Sequence, residues 1–157
     1  MAYRRKTWRE KLADDKGLPR VVKMQGRLAR RWGQATCVIP KPREVDAVMR
    51  RIPAGRLITI NQVRAKLARK HGATIGCPIC TGIFASIAAR AAGEDAAAGK
   101  SRVTPYWRTL KANGVINEKY PGGVAGQKRL LEKEGHRVVR KGKRWVVQDF
   151  VRALVRT

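Results

Sequence analysis

Side chains able to do covalent or metal chemistry are few in this chain, and the most suggestive lie in one short segment. Cys77-Pro78-Ile79-Cys80 has the two-residue spacing of half a zinc site. A tetrahedral site needs two further ligands, and the choices left are Cys37, His71 and His136. His71, six residues before Cys77, is the nearest. There is no second Cys-x-x-Cys. The pair therefore reads first as two small, half-buried side chains in a turn, or as a reversible redox pair. Cys77 as a nucleophile would need a depressed thiol pKa; its basic loop favours that, but no base is positioned by the sequence. No metal and no cofactor is expected. Three cysteines, an odd count, fit a reducing compartment better than a disulfide framework.

Charge is the dominant signal. Thirty-six Lys and Arg oppose 11 Asp and Glu over 157 residues, a formal net charge of +25. Such a field draws polyanions and repels basic partners. From Ala47 to Gly93 there is no carboxylate, while eight Lys or Arg occur there. Ordinary surface helices mix signs, so an acid-free stretch is what a phosphate-facing surface needs. No run of about 18 apolar residues exists to span a membrane. The start, Met1 to Trp8, lacks a secretory signal's apolar stretch, and Glu10, Asp14 and Asp15 argue against an organelle transit peptide. The expected location is the cytoplasm, at the nucleoid. Hydrophobic residues at 43% supply enough material for a folded core.

The elements that would position these groups can be read from periodicity. Val45, Val48, Met49 and Ile52 recur at i, i+3, i+4 and i+7, predicting a helix from Pro42 that Pro53-Ala54-Gly55 ends. Thr59 is placed to cap a second helix, Ile60 to His71, with Ile60, Val63 and Leu67 inward and Gly72 as the stop. Its outward face carries Arg64, Lys66, Arg69 and Lys70. After a turn, Thr81 is expected to cap a third helix running to about Gly93, rich in Ala85, Ser86, Ala88, Ala89, Ala91 and Ala92. Two helices joined by a turn suggest a helix-turn-helix, although this turn is longer than usual.

Thr104 to Leu110 reads as a short helix, Tyr120-Pro121-Gly122-Gly123 as a tight turn or wing, and Gln127 to Glu134 as a helix burying Leu130 and Leu131. Val138-Val139 and Trp145-Val146-Val147 flank a basic tip, Arg140 to Lys143, as a hairpin, and Asp149 caps a last short helix. Residues 1–42 read as an irregular basic arm broken by Gly17, Pro19, Gly26 and Gly33. Trp8, Leu12, Leu18, Val21, Val22 and Trp32 suggest that the arm is at least partly docked.

Three segments occur in a telling order: Ile52-Pro53-Ala54-Gly55-Arg56-Leu57-Ile58-Thr59, then Ala89-Arg90-Ala91-Ala92-Gly93, then Tyr120-Pro121-Gly122-Gly123 with Lys128 to Gly135. Together they resemble the C-terminal DNA-binding domain of O6-alkylguanine-DNA alkyltransferases and of the catalytically silent alkyltransferase-like proteins. The resemblance covers about residues 43–136, leaving 1–42 and 137–157 as extensions. It implies a mainly α fold with a winged helix-turn-helix, to which the residues themselves add a basic N-terminal arm and a small C-terminal β-hairpin.

Members with activity carry Pro-Cys-His-Arg-Val, whose thiolate accepts the alkyl group with help from the histidine. The segment that aligns here is Pro105-Tyr106-Trp107-Arg108-Thr109, with Tyr106 at the acceptor's place and Trp107 at the histidine's. A phenol with a pKa near 10 and no adjacent base is a poor acceptor. The resemblance therefore implies DNA binding without transfer activity, and no enzyme.

Arg90 matches the family's arginine that enters the duplex stack, and Ala89 and Ala91 its small-residue face in the minor groove. Ile60 replaces the tyrosine that helps rotate the nucleotide, and Gly99-Lys100-Ser101-Arg102 replaces the family's Asn-Pro. Those departures count against base flipping and leave minor-groove docking intact.

The implied DNA contacts are Thr59, Asn61, Gln62, Arg64, Lys66, Thr81, Ser86, Ala89, Arg90, Ala91, Gly93 and Arg108. The candidate base pocket is Tyr106, Trp107, Tyr120, Gly122 and Gly123. On the residues alone, Tyr106 and Trp107 read equally as core aromatics, and Arg90 as a solvated helix residue. The expected partner is double-stranded DNA, damaged or not, with structured RNA as the alternative, bound by a monomer.

Overall fold

The structure, a computed structural model, describes residues 4–27, 30 and 35–156. Trp32 and Gly33 of the expected arm lie outside the described residues. In chain order the elements are α1 (Trp8–Ala13), β1 (Arg20–Lys23), β2 (Thr36–Ile39), α2 (Pro42–Arg50), β3 (Ile58–Thr59), α3 (Ile60–Lys70), β4 (Ile75–Gly76) and α4 (Pro78–Ala97). There follow β5 (Thr109–Leu110), α5 (Gly123–Lys133), β6 (Val138–Lys141), β7 (Arg144–Val147) and α6 (Phe150–Ala153). The described chain is mainly helical with three small sheets. None of its helices is long and apolar enough to cross a membrane.

Local sequence explains α2 and α3 well. Pro42 opens α2, and its apolar stripe buries Val45, Val48 and Met49. Thr59 and Gln62 form a reciprocal cap on α3: the Gln62 amide donates to Thr59 Oγ1 at 3.2 Å, and the Thr59 amide donates to Gln62 Oε1 at 3.0 Å. These two helices pack with α4 around Met49, Val63, Leu67, Ala85, Ala88 and Ala89. The small side chains of α4 serve that core: Ala85, Ala88, Ala89, Ala91 and Ala92 are all buried.

Helix α4 starts earlier and runs further than expected. Pro78 follows Cys77, whose sulfur accepts from the Cys80 amide at 3.3 Å, so a thiol caps the helix ahead of Thr81. Thr81 is buried and its hydroxyl donates to the Cys77 carbonyl at 2.6 Å. At the other end Gly93 does not stop the helix, because Pro121 packs over it and a Cβ there would sit 3.0 Å from Pro121 Cγ.

The arm is not irregular where it is described. Thr7 caps α1, whose Trp8 and Leu12 lie against the first core together with Leu18. Strand β1 runs antiparallel to β2, which runs parallel to β4 (Cys37 beside Ile75, Val38 beside Gly76). Polar ties help to hold the arm down. Arg43 donates twice to the Asp15 carboxylate, at 2.7 and 3.1 Å, and the Arg9 amide donates to Glu94 at 3.0 Å.

A second core forms from Leu57, Leu110, Ile116, Leu131, Val138 and Val147. The segment expected as a helix, Thr104 to Leu110, is one 3-10 turn (Tyr106–Arg108) followed by β5. The reason is non-local: Thr109 and Leu110 pair in parallel with Ile58 and Thr59. Residues 120–123 form a turn leading straight into α5 and carry no wing strand. Only Leu131 of the expected leucine pair is fully buried; Leu130 is half-buried. The hairpin forms with Lys141 opposite Arg144, and Asp149 sits at the start of α6 without a side-chain capping bond. The last segment is tied back across the fold, with the Leu57 amide donating to Ala153 O and the Val155 amide to Leu57 O.

Gly114 shows how tightly this second core is closed. It has φ +76°, and a Cβ there would lie 2.5 Å from the Phe150 ring. Gly114→Ala is expected to lose about 2 kcal/mol of stability in urea unfolding, from a strained backbone and overpacking together. An unchanged midpoint would mean that Phe150 moves aside freely.

Candidate nucleic-acid interface

Although α4 is largely buried, one of its faces stays open. Ile79, Gly82, Ile83, Ser86 and Arg90 follow helical spacing and line a cleft of about 710 Å³. It is lined further by Trp8 and Lys11 of α1 and by Lys111, Asn117 and Lys119. Ile79 is 72% and Ile83 53% exposed, unusual for isoleucines on a central helix. The Arg90 guanidinium lies 4.9 Å from the Trp8 ring centroid and Lys11 Nζ lies 4.1 Å from it, both within cation–π range. The cleft therefore brings exposed apolar side chains together with cations and an aromatic ring.

A neighbouring hollow of about 450 Å³ shares Lys111 with this cleft and is lined further by Asn113, Ile116, Glu118, Lys143, Arg144 and Trp145. Lys128 Nζ stands 5.3 Å from the Trp145 ring centroid. A line of cations thus continues from α1 through Lys111 to the hairpin tip. The sequence reading marked the tip and Arg90 but missed Trp8, Lys11, Ile79, Ile83, Lys111 and Lys119. The Trp8–Lys11 spacing, one helical turn, was the available signal.

The expected contact residues do not fall on one surface. Ser86 and Arg90 meet in the cleft. Asn61 and Arg64 line a separate depression with Arg69 and Thr74, and Arg64 donates to Asn61 Oδ1 and to the Gly76 carbonyl. Lys66 lines another with Arg51, Arg69 and Lys70. Thr59, Thr81, Ala89 and Ala91 are buried, so their side chains have no surface to offer DNA. Gln62 is occupied by the α3 cap and by the Val155 carbonyl, and Gly93 lies under Pro121. Arg108 is committed to the fold: Nε donates to Glu134 Oε1 at 2.7 Å and a terminal nitrogen donates to the Ile52 carbonyl at 2.6 Å.

The candidate base pocket is filled. Tyr106 packs edge-on against Trp107 (centroids 5.3 Å apart) and against Tyr120 (6.1 Å), and Tyr106 and Tyr120 are both buried. The Trp107 indole N–H donates to Glu134 Oε2 at 2.7 Å, while Gly122 and Gly123 shape the turn into α5. Burial pushes the Tyr106 phenol above its ordinary value and that of Tyr120 to about 12, so neither is a phenolate at neutral pH.

Among the described residues no three His, Cys, Asp or Glu side chains are arranged to hold a metal ion. His71, the nearest third ligand by sequence, instead bonds to Glu44 at 2.9 Å.

No family model and no curated protein matches this chain. Two solved structures are similar to it. One is S. pombe Atl1 in complex with damaged DNA containing O6-carboxymethylguanine, at 16% identity and a TM-score of 0.46. The other is S. pombe ATL in complex with DNA, at 16% identity and a TM-score of 0.47. In each case 74% of this chain and 94% of the other is covered.

Proposed function

We propose that this chain is a non-catalytic, double-stranded DNA-binding protein of the alkyltransferase-like type, with α3 and α4 as the helix pair of a winged helix-turn-helix. The observation that carries the reading is the cleft along α4, where the exposed Ile79 and Ile83 lie in company with Lys11, Arg90, Lys111 and Lys119. A DNA minor groove presents the matching pattern, with deoxyribose edges between two rows of phosphates. RNA would bring 2′-hydroxyls against the two isoleucines, where they would lose water without gaining a partner. Trp8 and Arg90 offer an aromatic and a guanidinium plane at the same cleft, surfaces on which an unstacked or damaged base can lie. With Tyr106, Trp107 and Tyr120 packed together, damage sensing is assigned to the Trp8–Arg90 end of the cleft.

The test is fluorescence anisotropy with a duplex DNA and a duplex RNA of the same sequence at equal salt. DNA is expected to bind more tightly, and a wide margin for RNA would favour an RNA-associated role instead. Ile83→Glu, at an exposed position, is expected to weaken DNA binding at least about tenfold, or about 1.4 kcal/mol, without lowering Tm. Arg90→Ala is expected to weaken binding to an alkylated duplex more than to a plain one. Equal losses would make Arg90 a phosphate contact only.

A further inference from the structure

The Cys77-Pro78-Ile79-Cys80 segment carries chemistry that DNA binding does not need. Cys77 caps the start of α4 and Cys80 lies in its first turn, on either side in sequence of the exposed Ile79. All three cysteines are half-buried rather than sealed in a core. Cys77 is fixed from both sides: its amide donates to Val38 O at 2.9 Å, and its carbonyl accepts the Thr81 hydroxyl at 2.6 Å. Its sulfur accepts from the Cys80 amide at 3.3 Å, a contact that sets both residues within one helical turn. Cys37, on the adjoining strand β2, is a third thiol and shares a hydrogen bond with Cys77.

We infer that Cys77 and Cys80 are a redox-active dithiol that a small-molecule disulfide converts into an intramolecular disulfide, with Cys77 attacking first and Cys80 resolving. In the first step the Cys77 thiolate attacks one sulfur of the reagent RS–SR. A Cys77–S–S–R bond forms, the reagent's S–S bond breaks, and RS⁻ leaves and takes up a proton from water. In the second step Cys80 gives its proton to solvent and its sulfur attacks Cys77 Sγ. That step breaks the mixed disulfide, releases the second RS⁻ and closes the Cys77–Cys80 bond. The protein loses two electrons and two protons, and the reagent gains both as two RSH.

The local fields support this division of roles. Burial by itself raises the Cys77 thiol, but hydrogen bonds from Cys80, the Ile79 amide and Cys37 outweigh it and hold Cys77 below the usual thiol range. Cys80 is pushed up to about 11, first by burial and then by the neighbouring Cys77 sulfur. Cys37 is raised by burial and by Cys77 in turn. Cys77 is thus the more readily ionised of the pair and Cys80 the less readily ionised.

The full-length protein, reduced and then exposed to oxidised glutathione, tests this by intact mass and by peptide mapping after alkylation. The expected product lacks two hydrogens, joins Cys77 to Cys80 and leaves Cys37 open to alkylation. Cys80→Ser should accumulate a glutathione adduct on Cys77, whereas Cys77→Ser should slow the first step at least about tenfold. Cys37→Ser should oxidise like the parent, and circular dichroism would establish that each variant is folded. A Cys37–Cys77 product, a first adduct on Cys80, or no oxidation would overturn the inference. So would stoichiometric zinc that shields all three cysteines from alkylation.

Discussion

Duplex affinity is expected to fall about a thousandfold as salt rises from about 50 to about 200 mM. Six cations line the cleft and the hollow that joins it: Lys11, Arg90, Lys111, Lys119, Lys143 and Arg144. None of the six has a carboxylate within ion-pairing distance among the described residues, so none is already neutralised. Each phosphate they engage releases about 0.9 of a counterion, so six give a log–log slope near −5 and a loss of about 10³ over that range. The measurement is anisotropy across a salt series. Replacing Lys143 and Arg144 together by Ala should reduce the slope by about two if the hairpin contacts the same duplex. An unchanged slope would confine binding to the cleft, and a slope near zero in the parent would remove the electrostatic basis of the reading.

The largest effect on stability is expected from Glu134→Ala. This carboxylate receives Arg108 Nε at 2.7 Å, the Trp107 indole N–H at 2.7 Å and the Gly55 amide at 3.1 Å. The Glu134 and Arg108 side chains are 12% and 16% exposed. Removing the acid leaves a guanidinium, an indole N–H and a backbone N–H without their acceptor. About 3 kcal/mol is expected to be lost, roughly 10 °C in Tm for a chain of this size. The double change Arg108→Met with Glu134→Leu should recover much of it, because an apolar pair leaves no charge stranded.

The pH dependence has a definite sign. Burial raises the Glu134 carboxyl, but its three donors and the Arg108 charge outweigh burial, leaving it below the ordinary value of 4.5. A depressed carboxyl stabilises the fold at pH above its unfolded value and loses that contribution as pH falls through the folded one. Thermal melts below pH 4.5 should therefore bring parent and Glu134→Gln closer together. A gap that widens on acidification would assign the stabilisation to another group.

What the sequence made legible follows from how local each determinant is. Helices α2 and α3 were readable because an apolar stripe, a proline and a Thr59–Gln62 cap all act within a few residues. The hairpin was readable for the same reason. The start of α4 was displaced because a cysteine sulfur took the capping role usually filled by a hydroxyl. Strand β5 was read as helix because its partner, Ile58–Thr59, lies far back in the chain and leaves no trace in local periodicity. In the arm, α1 is too short to show a period, and β1 gains its structure only from β2.

At the site, Arg90 and Ser86 were visible as the polar residues of a small-residue helix. Ile79 and Ile83 were not, because an isoleucine on a helix reads as core until the structure leaves it uncovered. The buried alanines around them explain that outcome. They let α4 sink so far among its neighbours that a single face is left to meet a ligand.

The bonds between Leu57 and residues 153–155 bear on how the chain is made. Leu57 leaves the ribosome nearly 100 residues before its partners do, and it cannot be sealed until they follow. Closure around Leu57 therefore joins two segments nearly 100 residues apart, a contact that no local pairing can form in advance.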